Sequence, residues 1–162
     1  MKDVGIVSII VAITSIFISV ITYWSQRKHN KLSFKPIPFI KIGKYEHDIF
    51  VELYNYGTGP LIITNLKATY KNKKSYNTLI QCVQSEIYYN YWTDFAEDIV
   101  KRPVPPNGKI VLIRLKPRLN NTNDIKQREA LCNTLKEITI IIQSKDIYQK
   151  KQPEYKRNLA LF

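Results

Sequence analysis

The chain has 162 residues, with 25 lysines and arginines against 13 aspartates and glutamates, a formal net charge of +12, and 44% hydrophobic residues. A chain of this length holds one ordinary domain beside a membrane anchor and is too short for two. Lysine far outnumbers arginine, the side chain suited to bidentate contacts with phosphate or guanine, so no specific DNA binding is expected; Ile, Asn and Tyr are also heavily used, and base composition alone supplies a basic chain of this kind.

Residues Val4 to Trp24 form an unbroken run without a charged side chain. At about 1.5 Å per residue, roughly 20 helical residues cross a hydrocarbon core of about 30 Å, so the run predicts a transmembrane helix over 4–24. A cleaved signal peptide fits less well: only Lys2 precedes the run, the run is too long, and it ends in Thr22-Tyr23-Trp24 rather than in small residues. Tyr23 and Trp24 suit the headgroup belt, where an amphipathic ring sits with its polar edge wet. Gly5, Ser8, Ala12, Ser15, Ser19 and Thr22 recur at spacings of 3 and 4. That stripe permits close backbone approach, and it predicts homo-oligomerisation through the helix.

A basic collar follows over 25–35, with Arg27, Lys28, Lys31 and Lys35. Lysine and arginine are retained on the cytoplasmic side, so the expected topology at the cell inner (plasma) membrane is a short extracytoplasmic N-terminus, 1–3, and a cytoplasmic remainder. Lys2 and Asp3 cancel, which puts the whole net charge after the span, next to an anionic leaflet that attracts each such residue by about 1 kcal/mol.

Residues 36–162 read as a soluble β-domain. Pro38 to Ile42 opens it, and Asp48 to Gly57 alternates Ile49, Val51 and Leu53 against Phe50, Glu52 and Tyr54, the period of a half-buried strand. Thr58-Gly59-Pro60 breaks that strand, glycine supplying positive φ, and Leu61 to Lys71 resumes it, so the two are expected to pair as a hairpin. Lys71 to Ser75 is a polar turn, and Thr78 to Val83 is strand-like. Thr93 is placed to cap a short helical turn through Asp98. Arg102 to Gly108, with three prolines, is expected to be an exposed connection. Lys109 to Pro117 alternates as a strand, with Ile110, Leu112 and Arg114 on one side. Asn121 to Asp124 would cap a helix over 125–137 with Ile125, Leu131, Cys132 and Leu135 on one face. Glu137 to Asp146 is the most continuous apolar strand, suited to the middle of a sheet, and Tyr155 to Phe162 adds a last one. Six to eight short strands predict a mainly β fold, an antiparallel β-sandwich or small β-barrel with one short helix behind the N-terminal transmembrane helix.

Chemistry-bearing patterns are sparse. His29 and His47 stand alone, without cysteine or histidine at metal spacing or a partner for a catalytic triad. Asp94, Glu97 and Asp98 form the single acidic cluster and lack the glycine of an EF-hand loop. Gly57-Thr58-Gly59-Pro60 lacks the Gly-Lys-Ser/Thr of a phosphate loop. Cys82 and Cys132 lie in apolar settings and are expected to be reduced core residues; a reversed topology would allow them to pair. The expectation is a non-enzymatic protein without cofactor or metal.

A short N-terminal span, a basic collar, a strand ending Asn55-Tyr56-Gly57-Thr58-Gly59-Pro60 and a late strand ending near Asp146-Ile147-Tyr148 resemble small bacterial single-pass membrane proteins with a sandwich domain behind one helix. Leu61 stands where alanine is common in those. The resemblance implies a fold and no catalytic residues. A more distant likeness is to bacterial antiviral effectors whose membrane helices carry a small β-domain that senses a cyclic nucleotide and then oligomerises. In this chain the residues that would serve such sensing are a basic, tyrosine-rich edge, Tyr70, Lys71, Lys73, Lys74 and Tyr76, together with Tyr88, Tyr89, Tyr91 and Trp92, since aromatic rings stack on bases and lysines neutralise phosphates. The first expectation is therefore a membrane-tethered domain that binds a protein partner or its own copies. The alternative is a nucleotide-gated membrane effector.

Overall fold

A computed structural model describes residues 2–84, 92–116 and 122–160. The chain divides into two compact units, Met1–Phe34 and Lys35–Phe162. The first is a single helix, α1 (Lys2–Ser33), 32 residues long. It is long and apolar enough to cross a membrane, and its described apolar side chains are exposed. The helix does not stop where the apolar run stops. Gln26 to Leu32 are mostly sound helix formers and carry it through the collar, so Arg27, Lys28 and Lys31 are helical; it ends before Lys35, which precedes Pro36 and is disfavoured in the helical region.

The second unit contains β1 (Pro38–Lys44), β2 (Ile49–Asn55), β3 (Leu61–Tyr70), β4 (Lys74–Tyr76), α2 (Leu79–Gln84), β5 (Asp94–Phe95), β6 (Pro103–Val104), β7 (Lys109–Leu115), α3 (Thr122–Lys136), β8 (Ile138–Lys145) and β9 (Tyr155–Asn158). Its strands form two antiparallel sheets. One has the order β1-β2-β7-β5; the other has the order β4-β3-β8-β9, with β6 also paired to β3. Ile40, Val51, Leu53, Leu112 and Leu115 of the first sheet join Leu61, Ile63, Leu66, Ile140 and Ile142 of the second in one buried cluster. Each such side chain, fully buried, stabilises the fold by about 1.5 to 3 kcal/mol. The chain is mainly β behind one N-terminal helix, with two open sheets on a shared core. β8, the most continuously apolar strand, lies inside its sheet between β3 and β9.

The corner between the sheets departs from the expected hairpin. β2 and β3 do not pair; they belong to different sheets, and the chain crosses between them at residues 56–60. Asn55 makes that crossing possible. Its side chain is fully buried, with Oδ1 accepting from the Ile37 and Gly57 amides (3.1 and 3.0 Å) and Nδ2 donating to the carbonyls of Gly59, Val104 and Pro105 (2.8, 3.0 and 3.3 Å). One side chain thus ties the entrance of β1, the corner and β6 together. No described glycine has positive φ, contrary to the expected use of glycine here. Gly57 is needed for space instead, because a Cβ would collide with the Lys35 carbonyl oxygen.

Four other expectations are corrected. Residues 79–84 are helix, with Thr78 Oγ1 accepting from the Gln81 amide at 3.3 Å; Leu79, Ile80, Cys82 and Val83 are buried at helical spacing. Thr93 caps no helix: Asp94 and Phe95 pair with β7, and Thr93 Oγ1 accepts from the Lys116 amide at 2.9 Å. The proline-rich connection contributes β6, and Val104 is fully buried in it. Helix α3 starts three residues earlier than expected and buries Leu131, Cys132 and Leu135 but leaves Ile125 exposed, because only its second half faces the core. The turn at 71–73 is as read from its polar composition: Lys71 and Asn72 have φ of 46° and 57°, and the Lys73 amide closes it on the Tyr70 carbonyl at 2.9 Å.

Candidate functional site

The side chains that define a surface come from the outward positions of β1, β2 and β7. In β1 these are Phe39, Lys41 and Gly43, paired respectively with Tyr54, Glu52 and Phe50 of β2. In β7 a bulge sets the phase. Val51 pairs with Ile113 but Glu52 pairs with Val111, so Leu112 has no opposite residue, and both Leu112 and Ile113 are buried. The extra residue turns Arg114 outward with Lys109, away from the Ile110 and Leu112 side expected from strict alternation.

β2 is therefore covered on both faces. Glu52 is only 2% exposed although it points outward. Lys109 Nζ donates to its Oε1 at 2.7 Å, the Tyr54 hydroxyl to its Oε2 at 3.0 Å, and Arg114 Nη1 lies 3.9 Å away. Arg114 in turn makes a two-pronged pair with Asp48, Nε donating to Oδ1 at 2.9 Å and Nη2 to Oδ2. A buried carboxylate needs such partners, since the desolvation cost of an unpaired one is several kcal/mol. The Arg114 hydrogen bonds hold the Asp48 carboxyl below its usual range, and Asp48 in turn raises Arg114; the bond to Glu52 raises Lys109.

Aromatic rings complete the face. Tyr54 stacks on Tyr56 with centroids 5.5 Å apart, Phe39 meets Tyr56 at 5.5 Å, and Tyr45 meets Phe50 at 6.1 Å. Lys41 lies over Tyr54 (5.7 Å) and Phe50 (6.0 Å), Lys109 over Tyr54 (5.7 Å), Arg114 over Phe50 (5.4 Å) and Arg157 over Phe39 (5.9 Å). Gly43 is what lets the Phe50 ring lie across β1, since a Cβ there would overlap the ring. Phe39 and Tyr56 remain 36% and 52% exposed. The sequence carries this face as the second half of the β2 alternation, whose outward members are aromatic or charged; attention to the inward apolar half alone passes over it.

The residues singled out from sequence are distributed as follows. Gly5, Ser8, Ala12, Ser15, Ser19 and Thr22 lie on α1, where Ser15 and Ser19 donate back to the carbonyls of Val11 and Ser15 at 2.8 Å each. Arg27, Lys28 and Lys31 lie on the same helix, and Lys35 lies in the second unit. Tyr70, Lys71, Lys73, Lys74 and Tyr76 come together on the β3–β4 hairpin; the lysines are exposed, Lys71 Nζ sits 5.2 Å over the Tyr70 ring, and both tyrosines are partly buried against the core. Trp92 also packs on the core, while Tyr88, Tyr89 and Tyr91 lie outside the described residues.

No group of His, Cys, Asp and Glu side chains among the described residues could hold a metal ion. Asp94 is exposed on β5, and Asp98 Oδ1 accepts from the Val100 amide at 2.9 Å, so the acidic cluster does not share a helical face. His47 is exposed beside Glu46, 3.9 Å away. Cys82 and Cys132 are both buried and are not joined in a disulfide. Cys132 lines a cleft of about 270 Å³ with Lys44, Arg128, Glu129 and Asn133, and burial raises its pKa, which leaves it a poor nucleophile.

No protein-family model matches the chain, and no curated protein or solved structure does either.

Proposed function

We propose that this is a non-enzymatic, single-pass membrane protein whose basic β-unit, held on the cytoplasmic side, binds a partner, and whose copies associate through α1. The observation that carries the reading is that α1 is long and apolar enough to cross a membrane and that its described apolar side chains, from Ile6 to Trp24, are exposed. In water such a surface is strongly unfavourable; in lipid it is solvated. At 32 residues α1 is about 48 Å long, more than the hydrocarbon core requires, so its basic end after Trp24 emerges among the headgroups and beyond. The hydroxyls of Thr14, Ser15 and Ser19 return to their own helix backbone, which satisfies them in lipid.

Alkaline extraction of membranes from cells making the full chain tests insertion. The wild-type chain is expected to stay in the pellet, and a variant with Ile10→Lys and Ile13→Arg to be released, since each central charge costs about 2.5 to 3.5 kcal/mol in the span. Release of the unaltered chain by alkali would sink the reading.

A further inference from the structure

We propose that the outward face of the β1-β2-β7-β5 sheet, centred on Phe39, Lys41, Tyr54 and Tyr56, docks an extended acidic segment of a protein partner that presents carboxylates and apolar side chains on one and the same side. The inference rests on reading the β-unit as the binding end of the chain, and it names the surface and the chemistry of what binds there.

The electrostatics of the face leave a positive remainder. Glu52 is buried beneath the ring layer and paired with Lys109, and Asp48 is paired with Arg114. Lys41 is exposed and makes no ion pair among the described residues, and the chain as a whole carries +12. Beside that charge stands an apolar surface: Ile37 and Tyr56, each 52% exposed, and Phe39 at 36%, contiguous through the Phe39 to Tyr56 ring contact. Exposed aromatic side chains are enriched at interfaces relative to the rest of a protein surface. A partner with a carboxylate for Lys41 and apolar groups for Ile37, Phe39 and Tyr56 is complementary in both respects, and in an extended segment side chains at every second position reach the same face, so carboxylate and apolar groups must both fall on those positions.

A single-stranded polynucleotide also combines negative charge with flat rings, but the ring faces here are already occupied. Cations lie over Phe39, Phe50 and Tyr54 within 6.0 Å, and Tyr54 is stacked on Tyr56. Base stacking would have to displace those groups. Carboxylates, which approach the cations from outside, displace nothing.

The test titrates the full chain in phosphatidylcholine nanodiscs with a short peptide in which glutamate and leucine follow each other at every second position with serine between them, with the same peptide carrying lysine for glutamate, with polyuridylate, and with phosphatidylglycerol vesicles. Saturable binding of the glutamate peptide is expected, weakened about tenfold or more by Lys41→Glu and by the pair Phe39→Ser and Tyr56→Ser, and unchanged by Lys67→Glu, an exposed lysine of the opposite sheet. Unaltered thermal unfolding of Lys41→Glu separates lost binding from lost fold, and that variant alone decides the matter if the serine pair is unstable. The proposal is overturned by absence of saturable binding, by equal weakening with Lys67→Glu, which would mean diffuse charge, or by tighter binding of polyuridylate or the vesicles at this face. Each of these results leaves the alkaline extraction of α1 untouched, so the two readings fail separately.

Discussion

Asn55 and Asp146 are the residues on which the most backbone depends. Asp146, 4% exposed, accepts from the Tyr148 and Lys150 amides through Oδ1 (2.8 and 2.9 Å) and from the Gln152 side chain through Oδ2 (3.1 Å), closing the connection that follows β8. Removing a partner from a buried polar group costs about 1 to 3 kcal/mol. Asn55→Ala takes a hydrogen-bond partner from five backbone groups, of which the Pro105 carbonyl keeps the Gly108 amide, and is expected to destabilise the β-unit by about 3 kcal/mol or more in chemical denaturation; a loss near zero would show that the corner does not depend on it. Both residues hold turns in this chain. A second expectation at this scale concerns pH. The folded-state pKa of Asp48 is lowered by Arg114, so the stability it contributes is present above the unfolded carboxyl's value of about 3.9 and is lost as pH falls through the lower folded value. Wild type should therefore lose more stability than Asp48→Asn on acidification below about pH 4; parallel acid curves for the two would contradict this.

At the level of elements, strands with a clean period of two were legible from sequence: β1, β2, β7 and β8 fall where their alternation or apolar continuity puts them. Short elements were not. Residues 79–83 are apolar enough for either assignment, and the deciding signal is the Thr78 cap, worth about 1 kcal/mol and local to one hydrogen bond. Thr78→Ala is expected to lower stability by about that amount, measured by thermal unfolding, and an unchanged midpoint would deny the cap its role. The pairing of β2 was illegible for a different reason. A glycine-rich connection between two strands reads as a hairpin, and only the buried Asn55 network, which brings together residues as distant as Ile37 and Pro105, shows that the chain changes sheets. The β7 bulge was hidden likewise, since nothing in Lys109 to Leu115 announces where alternation slips. For α1 the apolar run was plain, and the helical collar follows from ordinary helix formers. Its association through Ser8, Ala12 and Ser15 predicts that replacing all three with leucine reduces self-association in membranes; an undiminished signal in a membrane two-hybrid assay would remove that surface.

At the scale of the whole molecule, the chain consists of two units: an apolar helix long enough to cross a membrane, and a two-sheet domain with exposed rings beside cations on the outward face of one sheet. The candidate face was only half visible beforehand, because it is assembled from three strands and a bulge, whereas the β3–β4 hairpin with its lysines is contiguous in sequence and so was noticed first. In the proposed topology α1 crosses the membrane once with the β-unit on the cytoplasmic side, as the basic residues after the span favour. Reporter fusions at the end of the chain measure this directly. A fluorescent green fluorescent protein fusion and an inactive alkaline phosphatase fusion are expected; an active phosphatase with a dark fluorescent partner would overturn the cytoplasmic placement.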